Sequence, residues 1–197
     1  NKERNLLMDS LKNTLRDISL LQPHYSPDNT EKMKQRGRLI RESLVAEIKS
    51  RKETLKNALG EYGVDFDVGA SDGIGRKTEA PWVRFYSKSM SPSPQHGYYF
   101  VIHFSRNGRL IFFTIGCGST IWEKGSLKPV PINELKEKVD IARKQIVSIL
   151  GSLGSFKDEI ALGAKANLPK TFERATATAK RIEVSSLETL NLEELLE

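Results

Sequence analysis

Cysteine is nearly missing from this chain: the single Cys117 excludes an internal disulfide, and with only His24, His96 and His103 beside it no Cys/His set has zinc-ligand spacing. A reducing, cytoplasmic setting without structural metal is expected. No apolar run approaches the roughly 18 residues of a membrane span, and the first residues are charged rather than a signal sequence. A membrane partner is therefore not expected. The chain also lacks a Gly-rich phosphate loop ending in Lys-Ser or Lys-Thr, Gly73-Ile74-Gly75-Arg76 being too short to count. Asp65, Asp67, Asp72 and Glu79 bring carboxylates near one another, but no Glu-x-Lys follows them on the next strand. Cys117, near the end of an apolar strand, reads as a packed small hydrophobe rather than a nucleophile. The residues thus offer no catalytic constellation, no metal site and no cofactor motif, which counts against an enzyme in its own right.

What the chain does have is positive charge. A formal net charge of +6 and a pI near 9.4 favour a polyanionic partner, nucleic acid before an acidic membrane surface. Leu7, Leu11, Leu15 and Ile18 recur every three or four positions and predict a helix over residues 3–21. Pro23 and Pro27 interrupt it. A second helical pattern runs through Leu39, Ile40, Leu44, Val45, Ile48, Leu55 and Leu59 to Gly60 and Gly63. Its outward positions, Lys32, Lys34, Arg36, Arg38, Arg41, Lys49, Arg51, Lys52 and Lys56, read either as a solvated face or as a phosphate-contacting one.

From Val64 the period changes to two. Val64, Phe66 and Val68 alternate with Asp65 and Asp67, and aromatic or β-branched strands follow at residues 82–86, 98–105 and 109–115. Asn107-Gly108 predicts a type I′ hairpin between the last two. Residues 91–97, Ser-Pro-Ser-Pro-Gln-His-Gly, form an exposed connection of the kind that carries function. Ile132, Leu135, Val139, Ala142, Ile146 and Ile149 give another amphipathic helix, stopped by Gly151 and Gly154, that should cover one face of the sheet. Ile160 and Leu162 suggest a short strand, and residues 172–182 carry too little pattern to assign. The fold class is α+β: a mainly antiparallel, mixed sheet with flanking amphipathic helices.

Strand alternation sorts the aromatic and basic residues onto faces. Trp82, Arg84 and Tyr86 share one face of their strand and Val83 and Phe85 the other. On the next strand Tyr98, Phe100, Ile102 and Phe104 form the buried set, leaving Tyr99, Val101 and His103 opposite. Trp, Tyr and His side by side, ringed by Arg76, Lys77, Arg84 and Lys88, suit a base removed from its stack, with rings sandwiching it and cations holding phosphates. The competing reading is a second small core beneath a helix, with Trp82 as its packing anchor.

Gly75-Arg76, Ala80-Pro81-Trp82-Val83-Arg84-Phe85, Gln95-His96-Gly97-Tyr98-Tyr99-Phe100 and the polar turn Gly116-Cys117-Gly118-Ser119-Thr120, in this order and spacing, resemble the N-terminal DNA-binding domain of McrB-type, modification-dependent (type IV) restriction endonucleases. Phe172-Glu173 and Ala179-Lys180-Arg181 resemble the family's closing segment, and the acidic, Leu-rich tail of residues 190–197 stands where members pass to the next domain. The resemblance implies one recognition domain over residues 1–197, part of a longer enzyme, with a helical part (1–60), a sheet bearing the binding site (64–122) and C-terminal helices with the closing segment (132–197). It implies a reader of modified cytosine in double-stranded DNA, 5-methylcytosine by default, that flips the base into an aromatic pocket while a separate nuclease or NTPase domain of the parent enzyme does the chemistry in phage defence.

Carried onto this chain, Trp82 and Tyr99 become pocket walls, with His103 and Ile74 standing where better-known members have an aliphatic and an aromatic residue. Arg76, Lys77, Arg84, Tyr86, Lys88, Gln95, His96 and Ser119 become the surrounding DNA contacts. Two alternatives stand beside this: recognition of an unmodified sequence in a restriction system, and a protein-interaction domain that docks an AAA+ or nuclease partner.

Overall fold

Leu11, Leu15 and Ile18 are fully buried on one face of the first helix, α1 (Lys2–Leu21). The protein is described by a computed structural model covering residues 2–191. The predicted second helix is instead a succession: α2 (Glu31–Arg38), a π-helical turn (Leu39–Leu44), α3 (Val45–Ser50) and α4 (Lys52–Leu59). Thr30 caps its start, Oγ1 accepting from the Met33 amide at 3.3 Å. The π turn has a reason in the spacing of the buried residues Arg36, Ile40, Leu44 and Ile48. Steps of four drift by about 40° per step around a helix of 3.6 residues per turn, and a wider turn holds them on one face. Arg36 is part of that face: it is fully buried, so it belongs to neither a solvated nor a phosphate-contacting surface.

The strands are β1 (Phe66–Ser71), β2 (Trp82–Ser87), β3 (Tyr98–Phe104), β4 (Leu110–Cys117), β5 (Thr120–Glu123), β6 (Ser126–Pro129) and β7 (Thr176–Glu183), with α5 (Ile132–Leu150) and α6 (Asn167–Arg174) between the last two. The main sheet has the order β1-β2-β3-β4-β7, and all four of its pairings are antiparallel, so it is not mixed. β5 and β6 form a separate hairpin.

Two turns differ from expectation. Asn107-Gly108 does join β3 to β4, but only Gly108 has positive φ, at 71°. The Gly108 amide reaches the Ser105 carbonyl at 3.0 Å, and the Asn107 and Ser105 side chains accept from the Arg109 and Leu110 amides. This is a type I turn closed by a left-handed glycine, because Asn107 gains more by bonding forward than by taking positive φ. The two-residue hairpin with positive φ at both centres is Lys124-Gly125, at 52° and 77°.

One sheet face carries the main core. Phe66, Val68, Val83, Phe85, Ile102, Phe104, Ile111, Phe113 and Ile182 meet Leu11, Leu15, Ile18, Ile40, Leu44 and Ile48 from the helices. Phe85 and Phe100 stack at 5.0 Å. At about 1.5–3 kcal/mol for each fully buried large apolar side chain, this face supplies most of the burial. Its partner face is covered only in patches. α5 lays Leu135, Val139 and Ala142 over Cys117, Ala175 and Ala177, and a small cluster gathers Ala80, Phe112, Ile160, Leu162 and Ala179.

Several outlying expectations change here. Val64 lies before β1 and is exposed, as is Ile149 at the end of α5, while Tyr98 is 41% exposed rather than buried. Ile160 and Leu162 are buried without forming a strand; the pairing nearby is the isolated bridge of Lys157 with Ala179. The unassigned stretch resolves into the end of α6 and all but the last residue of β7. Residues 192–197 of the acidic tail lie outside the described residues.

Candidate nucleic-acid interface

The register fixes which side chains stand together on the uncovered face. Trp82 pairs with His103 and Arg84 with Val101, while His103 pairs with Phe112, Val101 with Thr114 and Tyr99 with Gly116. Because partners in register point to the same side, Trp82, Tyr99, Val101 and His103 form one surface, as the alternation predicts. Gly116 offers no side chain opposite Tyr99, and the β4–β7 register shifts at Ile115/Gly116, a bulge of the kind that bends a sheet beside a site.

Above this surface is a cavity of about 830 Å³. Its walls come from the sheet, the loops of residues 71–79 and 91–97, Tyr25, the β5–β6 hairpin with Trp122 and Leu127, and α6 with Asn167, Leu168 and Phe172. The sequence-derived residues Trp82, Tyr99, His103, Ile74, Arg76, Lys77, Gln95 and Ser119 all line it. Arg84, Tyr86, Lys88 and His96 do not. Sequence reasoning missed Trp122 and Phe172. Trp122 is 58% exposed at the rim; Lys at the first position of its two-residue turn is a weak hairpin signal beside Asn or Asp.

Arg84 is expected at a phosphate, and its placement corrects that. The residue is 3% exposed, with its guanidinium 3.6 Å from the Tyr86 ring centre and 5.0 Å from that of Tyr99. It donates to Ser91 Oγ at 2.7 Å, and Ser91 Oγ donates in turn to the His96 carbonyl at 2.6 Å. The Tyr99 hydroxyl donates to the Pro94 carbonyl at 2.7 Å; burial pushes that phenol up, keeping its proton. A long side chain with a neighbouring acceptor gains more from these bonds than from water. The consequence is a fastened loop, residues 91–97, holding Pro94 and Gln95 in the cavity wall. Gly118 completes the fastening: a Cβ there would run into the Gln95 carbonyl, and its amide donates to Gly97 O at 3.0 Å.

The loop of residues 71–79 is tied from behind. Asp72, 2% exposed, pairs with Arg41 and accepts from Lys77 Nζ at 2.6 Å. Burial raises its carboxyl pKa, but the bonds from Arg41 and Lys77 outweigh it and leave the group lowered and ionised. Buried Arg36 donates to Gln22 Oε1 and to the Thr78 carbonyl, both at 2.8 Å, and burial lowers its pKa to about 10. Lys77 therefore lines the cavity with its ammonium tied to Asp72, a carboxylate that it shares with Arg41. Arg76 is exposed on the same wall with no anionic partner among the described residues, and Ile74 is 73% exposed.

His103 sits among the rings of Trp82, Phe112 and Phe172. It is 5% exposed, its ring stacks on Phe172 at 5.9 Å, and Nδ1 has no hydrogen-bond partner. Burial alone holds its pKa at about 3, so the imidazole is neutral near pH 7. Outside the cavity, Lys88 lies 3.7 Å from Asp67, and His96 Nδ1 is 2.7 Å from Ser93 Oγ. The carboxylates that looked clustered in sequence have separate partners: Asp65 binds Ser87 and Ser89, Asp67 faces Lys49 and Lys88, and Glu79 accepts from the Lys165 and Ala166 amides. Among the described residues no group of three or more His, Cys, Asp and Glu side chains is placed to hold a metal ion. Nor is any described helix long and apolar enough to cross a membrane.

The arrangement can take up a flat, partly polar group between rings, with cationic residues at its mouth. A family model described as "MrcB-like, N-terminal domain" matches residues 21–196. Searches of curated proteins and of solved structures found no match.

Proposed function

The chain belongs to the MrcB-like N-terminal domain family, the non-catalytic DNA-recognition part of McrB-type restriction systems, and on that premise we propose that it reads modified cytosine in duplex DNA by turning the base out into the cavity. The observation that carries this is the open-mouthed cavity itself, lined by rings from several elements. Trp82 and Tyr99 reach it from neighbouring strands, and Phe172 and Trp122 reach it from the elements above. A second core would have filled that space with side chains.

Extruding a paired base costs a few kcal/mol, and stacking on an aromatic ring returns about 1–3 kcal/mol per contact. These terms are comparable, so small contacts to the modification decide the outcome. Arg76 at the mouth supplies sequence-independent attraction to phosphates that weakens with salt. Cleavage and nucleotide hydrolysis belong to other domains or subunits, which this domain directs to modified sites.

Fluorescence anisotropy on duplexes identical except for one central cytosine, plain or modified, tests the proposal. Tighter binding to a modified duplex is expected. Equal affinity for plain and modified duplexes across a panel of cytosine modifications would sink it.

A further inference from the structure

Among the described residues, Ile74 and Trp122 are the two large apolar side chains that are exposed and also line the cavity. Ile74 comes from the loop of residues 71–79 and Trp122 from the β5–β6 hairpin. Trp122 pairs in register with Leu127, and Thr120 stands two residues before it, so the three share one side of the hairpin. Exposure rises along that side toward the tip: Thr120 is buried, Leu127 half-buried and Trp122 exposed. The indole therefore stands at the mouth of the cavity rather than in its depth. The hairpin is not part of the main sheet, and it ends in the tight turn Lys124-Gly125. Lys124 is the one non-glycine residue with positive φ among the described residues. Lysine takes that conformation at a cost that glycine or asparagine would avoid, and a backbone cost kept at an exposed tip points to use. Lys128 is matched by Glu123 at 2.8 Å, whereas Lys124 is exposed without an anionic partner among the described residues. A two-stranded ribbon with a cation at its tip suits the major groove of a duplex.

Turning a base out leaves a slot in the stack, and each neighbouring base loses a stacked face. A flat ring inserted there restores both contacts, much as apolar side chains occupy kinked base steps. The side chain that does this has to be exposed before the duplex arrives, close to the mouth that takes the base, and flat. Trp122 meets all three conditions. Ile74 meets the first two, but its branched side chain cannot lie flat between two bases. We infer that the β5–β6 hairpin is a DNA-contacting ribbon and Trp122 the positioning residue of base extrusion, its indole entering the slot that the base leaves while Lys124 meets a backbone phosphate. The inference rests on the base-pocket reading above. It divides the labour between two rings that line one cavity: Trp82, on the sheet, holds the extruded base, and Trp122, at the rim, holds the duplex open without it.

The test uses duplexes of one sequence with 5-methylcytosine or 5-hydroxymethylcytosine at a central position, read on whichever the unaltered protein binds more tightly. The modified base is placed opposite either guanine or a pyrene nucleotide. Pyrene has about the area of a base pair, so it fills the stack and forces the opposing base out without help from the protein. Trp122→Ala should bind the guanine-opposed duplex about tenfold or more weaker than the unaltered protein does, and the pyrene-opposed duplex within about threefold of it. Trp122→Phe, which keeps a flat ring, should recover part of the loss, and Tm should hold in both variants because the side chain is exposed. Trp82→Ala should be weakened on both duplexes, since pyrene does not replace a wall of the pocket. Equal losses for Trp122→Ala on the two duplexes, or no loss on either, overturn the inference and leave the base pocket standing. A Trp82→Ala variant that binds both duplexes as tightly as the unaltered protein overturns the pocket as well.

Discussion

Replacing Arg84 with methionine separates a residue that shapes the pocket from one that holds phosphate. The substitution keeps an apolar stem of similar length and removes the guanidinium. It deletes the charge-assisted bond to Ser91 Oγ at 2.7 Å, worth about 1.5–3 kcal/mol, and the stack on Tyr86 at 3.6 Å, worth about 1–2 kcal/mol where desolvated. Against this, an arginine that is 3% exposed bears a desolvation cost that methionine does not. The net loss should be about 1–3 kcal/mol, or roughly 2–12 °C in Tm for a domain of this size. The loop that carries Pro94 and Gln95 loses one of its fastenings, and under the proposed reading the preference for modified over plain duplex should fall. The slope of log affinity against log salt should stay the same, because each lost phosphate contact would lower it by about 0.9. Thermal unfolding and a salt titration on both duplexes decide the matter: an unchanged Tm with the slope reduced by about 0.9 would refute the structural role and return Arg84 to the phosphates.

The other charged and buried residues make contrasting predictions. Arg76→Ala should show the behaviour denied to Arg84, weakening plain and modified duplexes equally and reducing the salt slope by about 0.9, with Tm unaltered; a loss confined to modified DNA would contradict its place at the mouth. His103→Leu should stabilise the protein by about 1–3 kcal/mol at pH 7.5 by removing an unpaired buried polar atom. Its effect should grow in acid. The folded-state pKa of about 3 lies below the ordinary value of 6.5, so the unfolded chain binds the extra proton as pH falls from 6.5 toward 3. The unaltered protein then loses stability relative to the variant by about 1.4 kcal/mol per pH unit. Parallel stability curves across that range, from urea unfolding, would show that the imidazole is not held neutral.

Much of the fold was legible because periodicity reports burial. Leu11, Leu15 and Ile18 repeat at helical spacing, and the alternation around Trp82 and Tyr99 puts both on the face that the register then joins to His103. What failed depended on contacts distant in sequence. Arg84 has the exposure expected of arginine until Ser91, Tyr86 and Tyr99 converge on it, and Arg36 until Gln22 and Thr78 do. β7 begins Thr176-Ala177-Thr178-Ala179, all buried. Small residues covered on both faces give no alternation to read. Trp122 and Phe172 enter the cavity from elements whose signals were weak, so these rings above the sheet were invisible in the sequence while those on its face were not.

In the proposed reading, Trp82 is the wall against which a modified base is stacked. Measuring the affinity of the unaltered protein and of Trp82→Ala for matched modified and plain duplexes at one salt concentration tests it most directly. The preference for modified DNA should collapse in the variant, with affinity for the plain duplex changed by less than about threefold, since Trp82 contributes a stack and no phosphate contact. Equal losses on the two duplexes, with the preference intact, would mean that no base is held against Trp82.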